Sequence, residues 1–228
     1  MIYDPISVDE RVIEQEMYHR DERVLTYSIR YPEFASAIFR PAANAMNRHY
    51  RLRAALQRQR YRQNLYPQAV RHYEYAVSRN NPFHAYEAVI NHFITYNGDC
   101  TVSLYADDYQ FTGGAHGNTV RSSDTWDLKS ARRLPVSHYF APSVPYQDYI
   151  IQSVNAQIAA GLEDGSGMYF DDYQQNVAQR FNPRSFFLDP AGLVVYFQQY
   201  QIAPYASGIP EFTLPYSQEV RPPRCPQG

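Results

Sequence analysis

The spacing of hydrophobic and polar positions changes along the chain, from a strand pattern to a helical pattern and back. Residues 23–31 are rich in β-branched and aromatic side chains and precede Pro32, which is typical of a strand that stops there. From 34 to 62 apolar residues recur at steps of three and four, which predicts a long amphipathic helix. Pro67 is expected to end or kink it, before a short helical stretch over 68–78.

The second half of the pattern favours strands with two helices among them. Residues 86–96 and 100–109 predict a hairpin joined by a turn at 97–99. Further strands are expected at 118–128, 185–188 and 193–198, and helices at 144–160 and 170–181. Helices grouped between meandering strands predict an α+β fold, an antiparallel sheet with helices packed on one side, including the one long Arg-rich helix.

Domain organisation is read from the absence of internal divisions. The chain contains no repeat and no Gly/Ser linker. We therefore expect one domain over 10–217, with an N-terminal half at 10–118 and a C-terminal half at 119–217. Residues 1–9 are expected to be an N-terminal extension and residues 218–228 a flexible tail.

Composition limits the class of protein. The chain has 228 residues, 44% of them hydrophobic, and a net charge of -2, which suits a protein with a sizeable core. No stretch approaches the roughly 18 apolar residues of a spanning helix, so we expect no membrane segment. The acidic first thirty residues lack a signal peptide's apolar region, and a cytoplasmic location is compatible with them. Cys100 and Cys225 leave open both the redox compartment and whether they pair.

Arginine is concentrated in the predicted long helix. Lys129 is the only lysine, and residues 40–71 contain no Asp or Glu. The arginines of this run include Arg48, Arg51, Arg53, Arg58, Arg60 and Arg62. Three interpretations stay open: a solvated or internally paired face, a surface for an anionic or acidic partner, and a nucleic-acid site. Because the whole chain is slightly acidic, we expect no nucleic-acid partner, and an anionic-polymer binder using Arg48–Arg62 remains an alternative function.

A glycine-rich segment follows the predicted hairpin. Gly113, Gly114 and Gly117 surround His116 without the spacing of a nucleotide-binding fingerprint. We interpret these four residues as a structural loop, because glycine is used wherever a turn needs a positive φ.

Candidate catalytic chemistry is sparse. His116 could bind a metal together with His84, His92 or His138, but none of these histidines has the spacing of a known metal site. We therefore expect no metal and no cofactor. No nucleophile motif occurs, so we expect a protein that is not an enzyme, with a carbohydrate-active or other hydrolase using His116 and Asp107 or Asp108 as the alternative.

The most distinctive segment spans residues 196–210. Two prolines, small residues and two tyrosines follow a strand here, which predicts a structured loop whose aromatic side chains cannot all face inward. Such a loop either packs on its own sheet or binds a partner.

Several segments of this sequence resemble one bacterial family. They are 109–117, then Trp126-Asp127-Leu128 with Leu134 and Phe140, and finally 192–197 leading into 200–208. Together they resemble the RsiV-like extracytoplasmic domain, which occurs in a lysozyme-sensing anti-sigma factor and in the non-catalytic region of the peptidoglycan deacetylase PdaC. The resemblance spans roughly 10–216.

The resemblance implies an α+β domain of the cell envelope without catalytic residues. It implies a non-catalytic binding or sensor module, with a lysozyme-like protein or a peptidoglycan-associated ligand as partner. Ligand contacts are expected at Tyr200, Pro204, Tyr205 and Ser207. The family's sigma-binding segment, membrane anchor and deacetylase domain have no counterpart in this sequence, so their roles are not carried over. A basic lysozyme would favour an acidic contact surface, for which the sequence offers the neighbourhood of 164–172.

Overall fold

The computed structural model describes residues 5–165 and 167–225, which divide into two units. The N-terminal unit consists of Ser7–His92 and Ala106–Val120. The C-terminal unit consists of the residues up to Ile6, Phe93–Tyr105 and the chain from Arg121 on.

The chain forms nine strands and four α-helices within the described residues. The strands are β1 Ser7–His19, β2 Glu22–Ala35, β3 Tyr86–Gly98, β4 Thr101–Phe111, β5 Asn118–Asp127, β6 Arg132–Arg133, β7 Phe186–Asp189, β8 Gly192–Tyr196 and β9 Glu211–Pro215. The helices are α1 Arg40–Arg60, α2 Tyr66–Ser78, α3 Tyr146–Glu163 and α4 Tyr173–Arg180. Strands β1 to β6 form one sheet in chain order, and β7 to β9 form a second sheet. The predicted α+β class is confirmed.

The first strand was not anticipated by the hydrophobic pattern. Ser7–Asp9, placed by the sequence analysis in an N-terminal extension, begin β1, which pairs antiparallel with β2 over its whole length. Most side chains of β1 are exposed and many are charged, as is usual for a strand at a sheet edge. Alternation of apolar side chains was therefore too weak to reveal it.

The second strand does not stop at Pro32, contrary to our prediction. β2 continues to Ala35, with Pro32 opposite Glu10 of β1. Its parallel ladder to β3 ends at Ile29, so Pro32 lies where β2 has lost its neighbour on that side. A proline is tolerated there because no partner strand needs its missing N–H.

The long helix begins later and continues further than predicted. Ser36 Oγ accepts the N–H of Phe39 at 2.9 Å, which turns the chain before α1 starts at Arg40. Pro67 does not end the helix, because a π-helical turn at Tyr61–Leu65 joins α1 directly to α2. A π-helical turn shifts the local pattern of backbone hydrogen bonds, so the chain stays helical although Pro67 has no N–H to donate.

This helical segment forms the crossover between β2 and β3, and such a crossover is what allows two successive strands to be parallel. The six-stranded sheet is therefore mixed. Ala54 and Tyr61 of the helix are buried against Leu25 and Ala88, and the rings of Tyr27 and Tyr61 are 5.4 Å apart. This packing leaves the opposite side of α1 exposed to solvent.

In the C-terminal unit the hairpin turn begins two residues later than predicted and shares only Asp99 with the predicted turn. β3 runs through Gly98, and Asp99 and Cys100 form the turn with φ of 47° and 56°. Positive φ at both central residues is the conformation that matches the twist of a two-residue hairpin. The Tyr96 hydroxyl donates to Asp99 Oδ2 at 2.5 Å and stabilises this turn.

The core of the C-terminal unit lies between α3 and the three-stranded sheet. Ile150, Val154 and Ile158 present the buried side of α3, which runs past the predicted stop at Gly161 to Glu163. All five residues of β8 are buried between β7 and β9, and the sequence analysis had not predicted β9. None of the described helices is long and apolar enough to cross a membrane.

A disulfide joins Cys100 to Cys225 across 125 residues. It fixes the described part of the segment that we predicted to be a flexible tail, in which Val220 is also buried and pairs with Phe140. Residues 218–225 are thus held at the core. Residues 226–228 of that tail, and residues 1–4 of the predicted extension, lie outside the described residues.

Candidate functional site

The loop that follows β8, residues 197–208, is held at its start by the core. Phe197 is 1% exposed, and its ring packs edge-on against Phe212 at 6.0 Å. The Gln198 side chain donates to Arg121 O at 2.7 Å and accepts the Arg121 N–H at 2.9 Å. This reciprocal pair fixes the backbone direction at the loop entrance.

The middle of the loop combines exposed tyrosine side chains with buried residues that hold the backbone in place. Ile202 and Ala203 are fully buried, whereas Tyr200 is 50% exposed and has a φ of 64°. The Tyr200 and Tyr205 rings stack at 5.9 Å with an angle of 30° between their planes. A stacked aromatic pair on a fixed backbone is a large contact surface with little conformational entropy left to lose.

The end of the loop is a short 3₁₀ turn. Pro204 accepts the N–H of Ser207 at 3.0 Å, and Gly208, with a φ of 65°, leads the chain towards β9. The Ser207 hydroxyl donates to Met168 O at 2.9 Å, so this predicted contact residue also stabilises the loop. A second link, the Phe170 N–H to Ile202 O at 3.1 Å, joins the loop to the chain between α3 and α4.

These links place further contact groups beside the tyrosines. Met168 is 59% exposed and adds an apolar side chain to the surface. Asp171 and Asp172, which directly follow Phe170, are exposed and contribute negative charge. The structure thus brings together part of the acidic neighbourhood and the tyrosine loop, which lie about thirty residues apart in the sequence. Met168 was missed because a single methionine between Gly167 and Tyr169 carries no pattern. We refer to residues 167–172 and 197–208 together as the tyrosine surface.

The glycine-rich loop of the N-terminal unit is shaped by close approaches. Gly113 has a φ of 83°, and a Cβ there would lie 2.7 Å from His72 Cε1. A Cβ on Gly117 would lie 2.3 Å from Tyr109 Cε2, whereas Gly114 is exposed. Glycine is therefore favoured at 113 by its positive φ, and a side chain at 117 would have to displace the Tyr109 ring.

His116 is an exposed residue of the same loop. Its Nδ1 lies 3.0 Å from the carbonyl oxygen of Gly117. Within residues 5–165 and 167–225, no three His, Cys, Asp or Glu side chains converge closely enough to hold a metal ion.

Asp108, named in the hydrolase alternative, is engaged with the long helix. Its carboxylate accepts the Tyr61 hydroxyl at 2.7 Å, the Gln57 amide at 2.8 Å and the Gln110 amide at 3.0 Å. Burial raises the pKa of Asp108 above the ordinary value, and the same environment raises the pKa of Tyr61. The geometry indicates a half-buried hydrogen-bond network that fixes β4 to the helical segment.

The substitution Asp108→Asn is expected to change how stability depends on pH. With its pKa raised, Asp108 favours the folded state most below the unfolded value of about 3.9, and this contribution is lost as the pH rises through the folded pKa. The wild type should therefore lose stability relative to Asp108→Asn from about pH 4 upward, as measured by urea unfolding at several pH values. A constant difference between the two proteins would contradict this expectation.

Two known families match successive parts of the chain. Residues 18–119 match the family described as "Deacetylase PdaC", and residues 139–217 match "Protein of unknown function (DUF3298)". The glycine-rich loop lies within the first match and the tyrosine surface within the second. No protein of curated function matches the chain.

Solved structures share the fold. A DUF3298 family member from Bacteroides fragilis superposes with a TM-score of 0.70 at 16% identity, over 92% of this chain and 90% of that one. A DUF3298 family protein from Pseudomonas aeruginosa gives a TM-score of 0.66 at 18% identity, over 96% of both chains. At these identities the likeness concerns the fold alone.

The family matches confirm the expected resemblance to PdaC, whereas the resemblance to RsiV stays a prediction. The chain joins a PdaC-like region to a DUF3298 region on the fold of the DUF3298 structures, a combination that indicates a cell-envelope-associated domain.

Proposed function

We propose that this protein is a non-catalytic, extracytoplasmic binding module that holds a basic protein ligand, of which a c-type lysozyme is the leading candidate, on the tyrosine surface. The observation that carries the proposal is the stacked pair of Tyr200 and Tyr205 on a loop with buried anchors at Ile202 and Ala203. Aromatic side chains on a fixed backbone are frequent binding hot spots.

Charge supports a basic ligand at this surface. The exposed carboxylates of Asp171 and Asp172 lie next to the segment that bonds to the loop. Carboxylates at the rim of an apolar contact attract a cationic partner and speed its association. Peptidoglycan fragments are the second candidate ligand, because sugar rings also pack on exposed tyrosines.

The disulfide supports an extracytoplasmic location. Disulfides persist in oxidising compartments and are rare in the bacterial cytosol, where thiols are kept reduced. The bridge between Cys100 and Cys225 closes a long loop around the C-terminal core, which is a structural role.

The test is calorimetric titration of the oxidised protein with a c-type lysozyme at two salt concentrations. We expect saturable binding that weakens at least about tenfold in Tyr205→Ala, because truncating a central aromatic contact typically costs 2 kcal/mol or more. Tyr75→Ala is the matched control, because Tyr75 is similarly exposed but lies on α2.

A charge variant separates the electrostatic contribution. Asp171→Asn with Asp172→Asn should weaken binding at low salt and have little effect at high salt. The Asp172 side chain makes no cap hydrogen bond to α4, and its Oδ1 accepts the Asn176 amide at 2.7 Å. Asparagine keeps an oxygen at this position, so α4 should be retained after Asp172→Asn. Binding that is unchanged in Tyr205→Ala refutes the tyrosine surface as the site. Binding of peptidoglycan fragments but not of lysozyme would keep the site and replace the ligand.

A further inference from the structure

The solvent side of α1 carries an apolar centre with arginines at both ends. Leu52 and Leu56 are 58% and 56% exposed, although leucine on a helix normally faces the core. One shallow concavity contains both leucines with Arg58 and Arg62. A second one contains Leu52 together with Arg48 and Arg51. The arginines and leucines thus form one continuous surface, which we call the α1 face and which consists of Arg48, Arg51, Leu52, Leu56, Arg58 and Arg62.

Three of the four arginines that line these concavities have no carboxylate close by among the described residues. Among the described residues, no carboxylate lies within 4.0 Å of the guanidinium groups of Arg48, Arg58 or Arg62, whereas Arg51 lies 3.6 Å from Glu33. Arg58 near the end of α1 and Arg62 in the π-helical turn are four residues apart and line one concavity, so their like charges repel. A partner that supplies carboxylates would relieve this repulsion.

We propose that the α1 face is a docking surface for an acidic amphipathic segment of a partner protein. Apolar side chains of the segment would cover Leu52 and Leu56, and its carboxylates would pair with Arg48 at one end and with Arg58 and Arg62 at the other. This partner differs from the ligand of the tyrosine surface, because a basic protein would be repelled here.

The leucines favour a protein segment over an anionic polymer. A polyanion would pair with the arginines but would leave Leu52 and Leu56 in water. Burying both leucines contributes a hydrophobic free energy that only a partner with apolar side chains can gain. From Arg48 to Arg62 the α1 face extends about 21 Å along the helix at 1.5 Å per residue, a length that about four turns of a helical segment would match.

The test uses the full oxidised chain and a synthetic 18-residue helical peptide with a leucine stripe flanked by glutamates, followed by fluorescence anisotropy. We expect binding that weakens about tenfold or more in Leu52→Ser with Leu56→Ser, and similarly in Arg58→Gln with Arg62→Gln. All four side chains are exposed, so these variants should keep the unfolding midpoint of the wild type. Leu162→Ser is the matched control, because this exposed leucine lies on α3.

Other outcomes overturn the proposal. A scrambled peptide of the same composition, polyglutamate, or vesicles rich in phosphatidylglycerol that bind as tightly as the striped peptide would indicate a general anion or membrane surface. Loss of binding in the arginine variant but not in the leucine variant would do the same. No binding of the striped peptide also overturns it. None of these results bears on the tyrosine surface, whose variants and ligands are separate.

Discussion

Removal of the disulfide between Cys100 and Cys225 is expected to lower the free energy of unfolding by about 4–5 kcal/mol. The bond closes a loop of 125 residues, and in the chain-entropy model a loop of about this length stabilises the folded state by roughly that amount. Urea unfolding of the protein with and without a reductant measures the effect. We expect a markedly lower unfolding midpoint after reduction.

The double variant Cys100→Ala with Cys225→Ala is the control for side reactions of free thiols. Its stability should agree with that of the reduced wild type and should not respond to reductant. An unchanged midpoint after reduction would contradict the expected effect and would mean that the bridge does not constrain the unfolded chain.

Phe197→Ala is expected to lower the free energy of unfolding by about 3–5 kcal/mol. Phe197 is 1% exposed and packs on Phe212, and deletion of a fully buried aromatic ring leaves a cavity that typically costs this much. Thermal and urea unfolding measure the loss.

Tyr200→Ala, three residues further along the same loop, is the matched control. Tyr200 is half exposed, so its truncation should change stability far less than that of Phe197. Equal losses in the two variants would contradict the division of the loop into buried anchors and an exposed contact surface. The pair also separates a binding defect from a folding defect, because only Phe197→Ala should weaken binding through the fold.

Elements with one clear apolar face were predictable from the sequence. Met46, Tyr50 and Ala54 mark the buried side of α1, and their spacing of four residues survives in the structure. The uninterrupted apolar run at 193–198 likewise predicted a strand, and β8 is that strand, buried along its whole length. The core requires apolar side chains at the buried positions of an element, so the placement of these side chains can be recognised in the sequence.

Elements that depend on distant partners were not predictable in the same way. β1 has few apolar positions and exists because β2 offers it a complete antiparallel ladder. Pro67 suggested a helix end, but the core contacts of Tyr61 and Leu65 keep the chain helical through a π turn. Local propensity is a weak term, and packing overrides it.

In the candidate site, too, some features were predictable from the sequence and others depend on tertiary structure. By itself the sequence determined the class of fold, the long arginine-rich helix and the aromatic, proline-framed loop with Tyr200, Pro204 and Tyr205, because these are local patterns of side-chain chemistry. Only the tertiary structure decided that Cys100 bonds to Cys225 and that Met168 lies at this loop. Such juxtapositions are made by chain closure over tens of residues, whose geometry is set by the packed core and leaves no local signature in the sequence.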